Sequence, residues 1–372
     1  MDRRQWLKST SLGGSFALFG GIGITNALTL DEINTFNPRS LSKHIRLSSN
    51  ENPYGPSEKV RKAIIAAFDH SCRYPYAYAD ELAAILAQKE GVTKDHIIIC
   101  GGSTEGLKIT GLTFAANGGE IIAGKPTFLA MMTYAKQWGA AVNWVPVGDD
   151  KGYDMAEIEK RISSKTKLVF LCNPNNPTST ILPSKKLIDF CDAISNKTIL
   201  FSDEAYYDYI EDPNYPSMVE LVKQEKNVIV SRTFSKVYGM AGLRIGYLIA
   251  KPALAEKLRR NMVAYSNVPA IAAAKEALND KEFYNFSLQK TREAKEMIYK
   301  TLDTFRLPYV KSHTNFIFFK SGKDIRTLHK QMLEKGVLIG RPFPPFFDWC
   351  RISTGTIEEV TLFTQALASL YE

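Results

Sequence analysis

The strongest constraint in this chain is a set of short runs that are apolar at nearly every position rather than at every second one. Ile97–Cys100, Leu168–Cys172, Thr198–Ser202 and Val228–Ser231 are such runs. A strand with one face in water alternates, so these read as strands covered on both faces, the mark of a mostly parallel sheet between helices. Glu120–Ala123, Ala141–Val147 and Arg244–Ala250 add further strands. Helix-period stripes precede them, through Val60, Ala63, Ile64 and Phe68 in Ser57–His70 and through Leu82, Ala83, Ile85 and Leu86 in Asp80–Glu90. Beyond Pro252 the pattern predicts helices over Ala253–Asn261 and Ala270–Phe305, with a break at Pro269. A strand at Thr314–Phe319, a helix at Ile325–Lys335, strands at Val337–Ile339 and Cys350–Ser353 and a helix at Ile357–Leu370 follow. The expectation is an α/β fold: an N-terminal arm (31–56), a large domain (57–252) with a mostly parallel central sheet sandwiched by helices, and a linking helix with a smaller α/β domain (253–372). A length of 372 residues suits one large and one small unit, at ~150 residues per domain.

Composition removes several function classes. Lys plus Arg exceed Asp plus Glu by 47 − 39 = 8, but the basic residues are scattered, which suits an anionic small molecule and not nucleic acid. Five cysteines with no CxxC pair indicate neither a metal site nor a disulfide framework. At the start, Asp2-Arg3-Arg4-Gln5-Trp6-Leu7-Lys8 leads into the Gly-rich, weakly apolar stretch Ser11–Ile24. Residues 1–30 resemble a twin-arginine export signal, with an amphipathic N-terminal helix as the alternative. The stretch is too short and too rich in glycine for a stable membrane span. The expected location is periplasmic, otherwise cytoplasmic; an Arg3/Arg4 double-Lys variant that fractionates like its parent would contradict export.

Polar residues gather where the strands end, which is where an open α/β sheet places its ligand. Gly101-Gly102-Ser103-Thr104 follows one strand and opens a helix, either as a plain capped start or as backbone N–H groups aimed at an anion. Asn173-Pro174-Asn175-Asn176-Pro177-Thr178 follows another, as a rigid turn or as amides directed at a ligand. Asp203-Glu204-Ala205-Tyr206 follows a third; its first acid is either a helix cap or the partner of a cation. Thr233-Phe234-Ser235-Lys236 follows a fourth, with Arg244 eight positions beyond the lysine (244 − 236 = 8). A desolvated lysine gives up its proton and attacks a carbonyl to form a Schiff base, while an arginine and two hydroxyls suit a phosphate.

Taken in order, these segments resemble the pyridoxal-phosphate-dependent aminotransferases of class I/II (fold type I, aspartate-aminotransferase-like), and within them the histidinol-phosphate aminotransferases most. Leu47–Pro56, Arg73-Tyr74-Pro75, Pro126-Thr127-Phe128, Thr314-Asn315-Phe316 and Arg351–Thr356 belong to the same likeness, which runs from about Leu47 to the C-terminus. The resemblance implies that Lys236 bonds the cofactor and shuttles a proton, that Asp203 pairs with the pyridinium nitrogen, and that Asn176 and Tyr206 reach the ring oxygen. It implies Phe128 on the ring face and Gly102, Ser103, Thr104, Thr233, Ser235 and Arg244 around the phosphate. Tyr74 would reach that phosphate from a neighbouring subunit, which makes a homodimer. Arg351 and Asn315 would take the substrate's α-carboxylate, and Tyr54 and Tyr265 would line the pocket. Apart from the resemblance, Arg341 reads either as the holder of a distal phosphate or carboxylate or as a surface arginine.

The implied reaction moves an amino group from an amino acid to a 2-oxo acid or to imidazole-acetol phosphate. A decarboxylase or lyase using the same cofactor is the alternative, because the ring accepts electrons whichever Cα bond breaks. A non-catalytic cofactor-binding domain is the third reading. Two departures from the family stand out: Ser179 where glycine is usual, and an aromatic, proline-rich loop, Pro342–Trp349, that leads into Arg351 and favours a flat or apolar side chain.

Overall fold

A computed structural model describes residues 44–372; the export-like segment at 1–30 and the first half of the arm lie outside them. Eleven strands are present among the described residues: β1 (Ile45–Arg46), β2 (Ile97–Cys100), β3 (Glu120–Lys125), β4 (Ala141–Pro146), β5 (Thr166–Cys172), β6 (Ile199–Asp203), β7 (Val228–Thr233), β8 (Gly246–Ala250), β9 (Phe316–Lys320), β10 (Val337–Leu338) and β11 (Trp349–Ser353). Seven of them form one sheet in the order β2-β8-β7-β6-β5-β3-β4. Only β8 runs antiparallel to its neighbours. The two faces of this sheet bury separate apolar layers. Val169, Leu171, Leu200 and Val230 face one, and Leu168, Phe170, Phe201 and Ile229 face the other. That two-sided burial explains why the runs lack alternation.

A third core is built from the helices Lys281–Thr304, Ile325–Glu334 and Ile357–Ala368 on the antiparallel pair β9–β11. The arm joins this layer. β1 pairs in parallel with β10, Leu47 N donates to Leu338 O at 2.9 Å, and Ser353 N donates to Leu47 O at 2.9 Å. The arm then crosses to the large sheet at Gly55, where a Cβ would lie 2.7 Å from the Cα of Gly239. Gly239 itself has φ +67°, so only paired glycines allow the arm to lie against the lysine-bearing loop.

Three helical expectations are corrected. Ser57–His70 is an α-helix only over Glu58–Ala66, capped by Ser57, and tightens to a 3₁₀ turn at Ala67–His70. Val60 is buried, but beyond the change of pitch Phe68 is exposed. Ile85, expected on the buried stripe of its helix, is also exposed. Pro269 does not break a helix. It sits in the first turn of Val268–Asn279, where its missing N–H costs nothing, and the break falls instead at Asp280, whose carboxylate caps Lys281–Thr304.

Candidate active site

The carboxyl ends of β2, β3, β5, β6 and β7 lie on one edge of the large sheet, and antiparallel β8 starts from that edge. Gly246, its first residue, pairs with both Cys100 and Thr233, which carries the preceding Arg244 to the same place. Cys172 pairs with Asp203 and Asp203 with Ser231, setting the ends of β5, β6 and β7 in line. The turn after β5 divides its work. Asn175 Oδ1 accepts from Thr127 and Tyr153, and its amide donates to Pro126 O and Thr178 Oγ1, so Asn175 is spent on holding the turn. Asn176 faces the site. Ser179, at the position where glycine is usual, is buried with φ 60°, a left-handed backbone bearing a side chain whose hydroxyl bonds Thr178 O.

At the centre, Lys236 Nζ donates to Asn50 O at 2.9 Å and sits 5.3 Å from the centroid of the Tyr206 ring. Burial, reinforced by the charge of Arg351, brings its ammonium down to about 8. Asp203 is buried, and burial pushes its carboxyl up to about 7 against the Ala205 backbone N–H. Its Oδ1 has no partner in the protein. Tyr206 Oη accepts from Asn50 Nδ2 at 3.0 Å and from Asn176 Nδ2 at 3.5 Å.

Beside them lies an anion cradle. Gly102 (φ +79°) precedes the helix Ser103–Ala115, whose first residues, Ser103 and Thr104, offer backbone N–H groups that no turn before them can satisfy. A side chain at residue 102 would run into Nη2 of Arg244, so glycine makes room for the guanidinium at the helix start. Arg244 has a left-handed backbone (φ 57°) and is braced by a bond from Nη1 to Ala241 O at 2.8 Å. Thr233 Oγ1 and Ser235 Oγ bond each other at 3.0 Å next to it. Phe128 follows β3, half-buried against the core of that face.

A second cationic region faces the lysine. Arg351, on β11, is buried; Nη1 donates to Asn176 Oδ1 at 2.8 Å, Nη2 donates to Ser48 O, and Nε has no partner. Burial brings its guanidinium down to about 10, and no carboxylate among the described residues offsets this. Arg341 meets the Phe343 ring, as Arg351 does. The Cζ atoms of Arg341 and Arg351 are 4.5 and 4.9 Å from that ring's centroid. Arg341 too is lowered by burial with no acid opposing it. The rest of the aromatic loop packs away from the lysine: Trp349 stacks on Phe318 at 4.9 Å, and Phe346 lies 6.1 Å from Phe318 under Lys151. Asn315 gives its amide to Asn50 O at 3.1 Å, leaving Oδ1 unpartnered.

Three sequence-derived residues stand elsewhere in this protomer. Tyr74 is 80% exposed and stacks on Tyr76, which meets Tyr265 edge-on at 5.0 Å, so Tyr74 and Tyr265 share a surface aromatic cluster. Tyr54 turns to the helix Ile357–Ala368, its Oη accepting from Ile357 N at 3.0 Å. Conversely, sequence reasoning assigned no role to Asn50, which touches Lys236, Tyr206, Asn315 and Ser353. The available signal was an asparagine at the head of Asn50-Glu51-Asn52-Pro53, a residue type that tolerates a left-handed backbone.

These groups fit pyridoxal phosphate. Asp203 Oδ1 is an unpaired buried acceptor for a ring N–H, Lys236 is an amine with an easily lost proton, and the Gly102–Arg244 cradle matches a phosphate. Comparison with known proteins agrees. The family described as aminotransferase class I and II matches residues 42–367. A histidinol-phosphate aminotransferase from Caldicellulosiruptor saccharolyticus is 37% identical over 331 residues, 88% of this chain and 92% of that protein. One from Moorella thermoacetica is 36% identical, covering 88% of this chain and 85% of that protein. The crystal structure of histidinol-phosphate aminotransferase from Sinorhizobium meliloti in complex with pyridoxal-5'-phosphate superposes with a TM-score of 0.83 at 25% identity, covering 96% of this chain and 99% of that one. With the lysine, the buried acid and the anion cradle set on one sheet edge as that cofactor requires, the chain belongs to the class I and II aminotransferases and is a pyridoxal-phosphate-dependent transaminase.

Proposed function

We propose that the substrates are an amine carrying a flat, imidazole- or aryl-sized side chain with an anionic group, and a 2-oxo acid that receives the amino group; histidinol phosphate with its keto product, imidazole-acetol phosphate, is the leading pair. The observation that carries this is the pair of acid-free guanidiniums, Arg351 and Arg341, that share the ring of Phe343. A carboxylate or phosphate on Arg351 is held by charge-assisted bonds, and a second charge is answered by Arg341. The histidinol-phosphate aminotransferases among its relatives support the same choice.

Pyridoxal phosphate, when bound, supplies an aldehyde carbon for the amine and a ring that takes up the electron pair left at Cα. Asp203 presents a carboxylate oxygen to the ring N–H, which favours that electron flow. Tyr206 and Asn176 fix the orientation of the ring oxygen. Lys236 Nζ, close to losing its proton at neutral pH, takes the proton from the substrate's Cα and returns it at the far end of the exchange. Arg351 would hold the substrate anion and with it the orientation of the Cα–H bond.

The test is a donor and acceptor screen with product analysis. Histidinol phosphate or an aromatic amino acid with 2-oxoglutarate should yield the keto product and glutamate; release of carbon dioxide would favour the decarboxylase reading instead. Arg341→Ala should raise KM about 30-fold for donors bearing a second anionic group, the equivalent of ~2 kcal/mol, and leave that for alanine within about twofold. A homodimer is proposed as well, because Tyr74 and Tyr265 are displayed outward and the resemblance assigns Tyr74 to a neighbour's phosphate. Light scattering that reports a single-chain mass in solution would end that proposal.

A further inference from the structure

Every polar group of Asn50 has a partner, and its carbonyl and its amide nitrogen reach the catalytic apparatus. It is 1% exposed and has φ 55°. Its N–H donates to Ser353 Oγ at 2.7 Å and its Oδ1 accepts from the same hydroxyl at 3.1 Å. Its carbonyl accepts from Lys236 Nζ at 2.9 Å and from Asn315 Nδ2 at 3.1 Å, and its Nδ2 donates to Tyr206 Oη at 3.0 Å. An extended backbone at this point would turn the carbonyl away from the lysine. The left-handed conformation that aims it there is one that Asn and Gly adopt most readily.

We propose that Asn50 is a positioning residue with two separable parts: a left-handed carbonyl that parks the free Nζ of Lys236, and an amide that makes Tyr206 an obligate hydrogen-bond donor. A phenol has one O–H to give and two lone pairs to receive with. Asn50 and Asn176 both donate to Tyr206 Oη, so the phenol's own hydrogen is left for an acceptor in the site. That is the polarity needed to steady an anionic ring oxygen. At Lys236, an amine that gives one N–H to a fixed carbonyl has its lone pair held in one direction, ready for the proton on the substrate's Cα. Asn50 touches neither substrate nor cofactor in this account; it acts through Lys236 and Tyr206.

The inference rests on the transaminase reading, and the test separates the two. Asn50→Gly removes the amide but keeps the left-handed backbone, whereas Asn50→Ala removes the amide and disfavours that backbone. The first readout is the titration of Lys236 in the cofactor-stripped full chain, followed by NMR of 13C-methylated lysines, with Lys236→Ala assigning the signal. Asn50→Gly should titrate within about 0.3 pH unit of the parent. Asn50→Ala should titrate about one pH unit lower, because the ammonium loses an acceptor. The second readout is equilibrium dialysis of pyridoxal phosphate, where both variants should bind about tenfold more weakly than the parent through the loss of the amide. A one-unit displacement in Asn50→Gly overturns the carbonyl part even if Asn50→Ala fails to fold, and parent-like dialysis of Asn50→Gly overturns the amide part. Failure of the transaminase reading looks different: borohydride would then trap no cofactor on Lys236 of the parent protein.

Discussion

Replacing Lys236 with alanine should leave a folded protein that turns over at least about 10³-fold more slowly, since it loses both the amine that bonds the cofactor and the base that moves the Cα proton. Steady-state rates with the best donor and acceptor measure the loss. Borohydride treatment with peptide mass mapping should place the cofactor on Lys236 in the parent and nowhere in the variant. A variant that keeps parental rates, or an adduct on another lysine, would remove the chemistry argued above. Stability should move the other way. The folded ammonium titrates near 8 against a usual 10.5, so this lysine supports the fold fully only above about pH 10.5, and that support is lost as pH falls through 8. Without cofactor, the alanine variant should therefore close on or overtake the parent in melting temperature as pH falls from 10 to 6.

Asp203→Asn should be the second large effect, and it too splits activity from stability. An amide offers the ring nitrogen no negative charge, and losing one member of a buried charge pair costs ~3–5 kcal/mol, so kcat/KM should fall about 10³-fold. In the cofactor-free protein the same carboxylate is a burden. Its folded value near 7 lies above an unfolded value of about 3.9. A raised carboxyl contributes stability that is whole below about pH 4 and is lost as pH climbs through 7. At pH 8 the cofactor-free asparagine variant should be the more stable by about 2–4 kcal/mol, read by denaturant titration, and the gap should close by pH 4. A cofactor-free variant that unfolds more easily than the parent at pH 8 would show that Asp203 is satisfied by something other than the cofactor.

Much of this was legible in the sequence because it is local. The strands of the large sheet announce themselves by unbroken apolarity, and the polar residues following Ile97–Cys100, Leu168–Cys172, Thr198–Ser202 and Val228–Ser231 do meet at one edge, as doubly wound topology requires. What escaped depends on distant partners. Asp280 interrupts a segment of good helical pattern: its buried side chain caps the next helix and is met by Lys59 from 221 positions away. Asn50 is reached by Tyr206 from 156 positions away and by Ser353 from 303, and no window of sequence contains both. Tyr54 accepts from Ile357 N, 303 positions away. Phe343 meets both guanidiniums, while Trp349 and Phe346 anchor the loop on Phe318, a distinction that spacing does not encode.

The arm's double attachment sets a limit on how far the chain can be shortened from its N-terminal side. Ile45 and Leu47 are tied to the β10 side of the C-terminal layer, Ser48 holds Arg351, Asn50 holds Lys236, and Asn52 reaches Val237 in the lysine loop. Any truncation that is to spare the site has therefore to end upstream of Ile45; removal of a few residues more would carry off the carbonyl that Lys236 Nζ donates to.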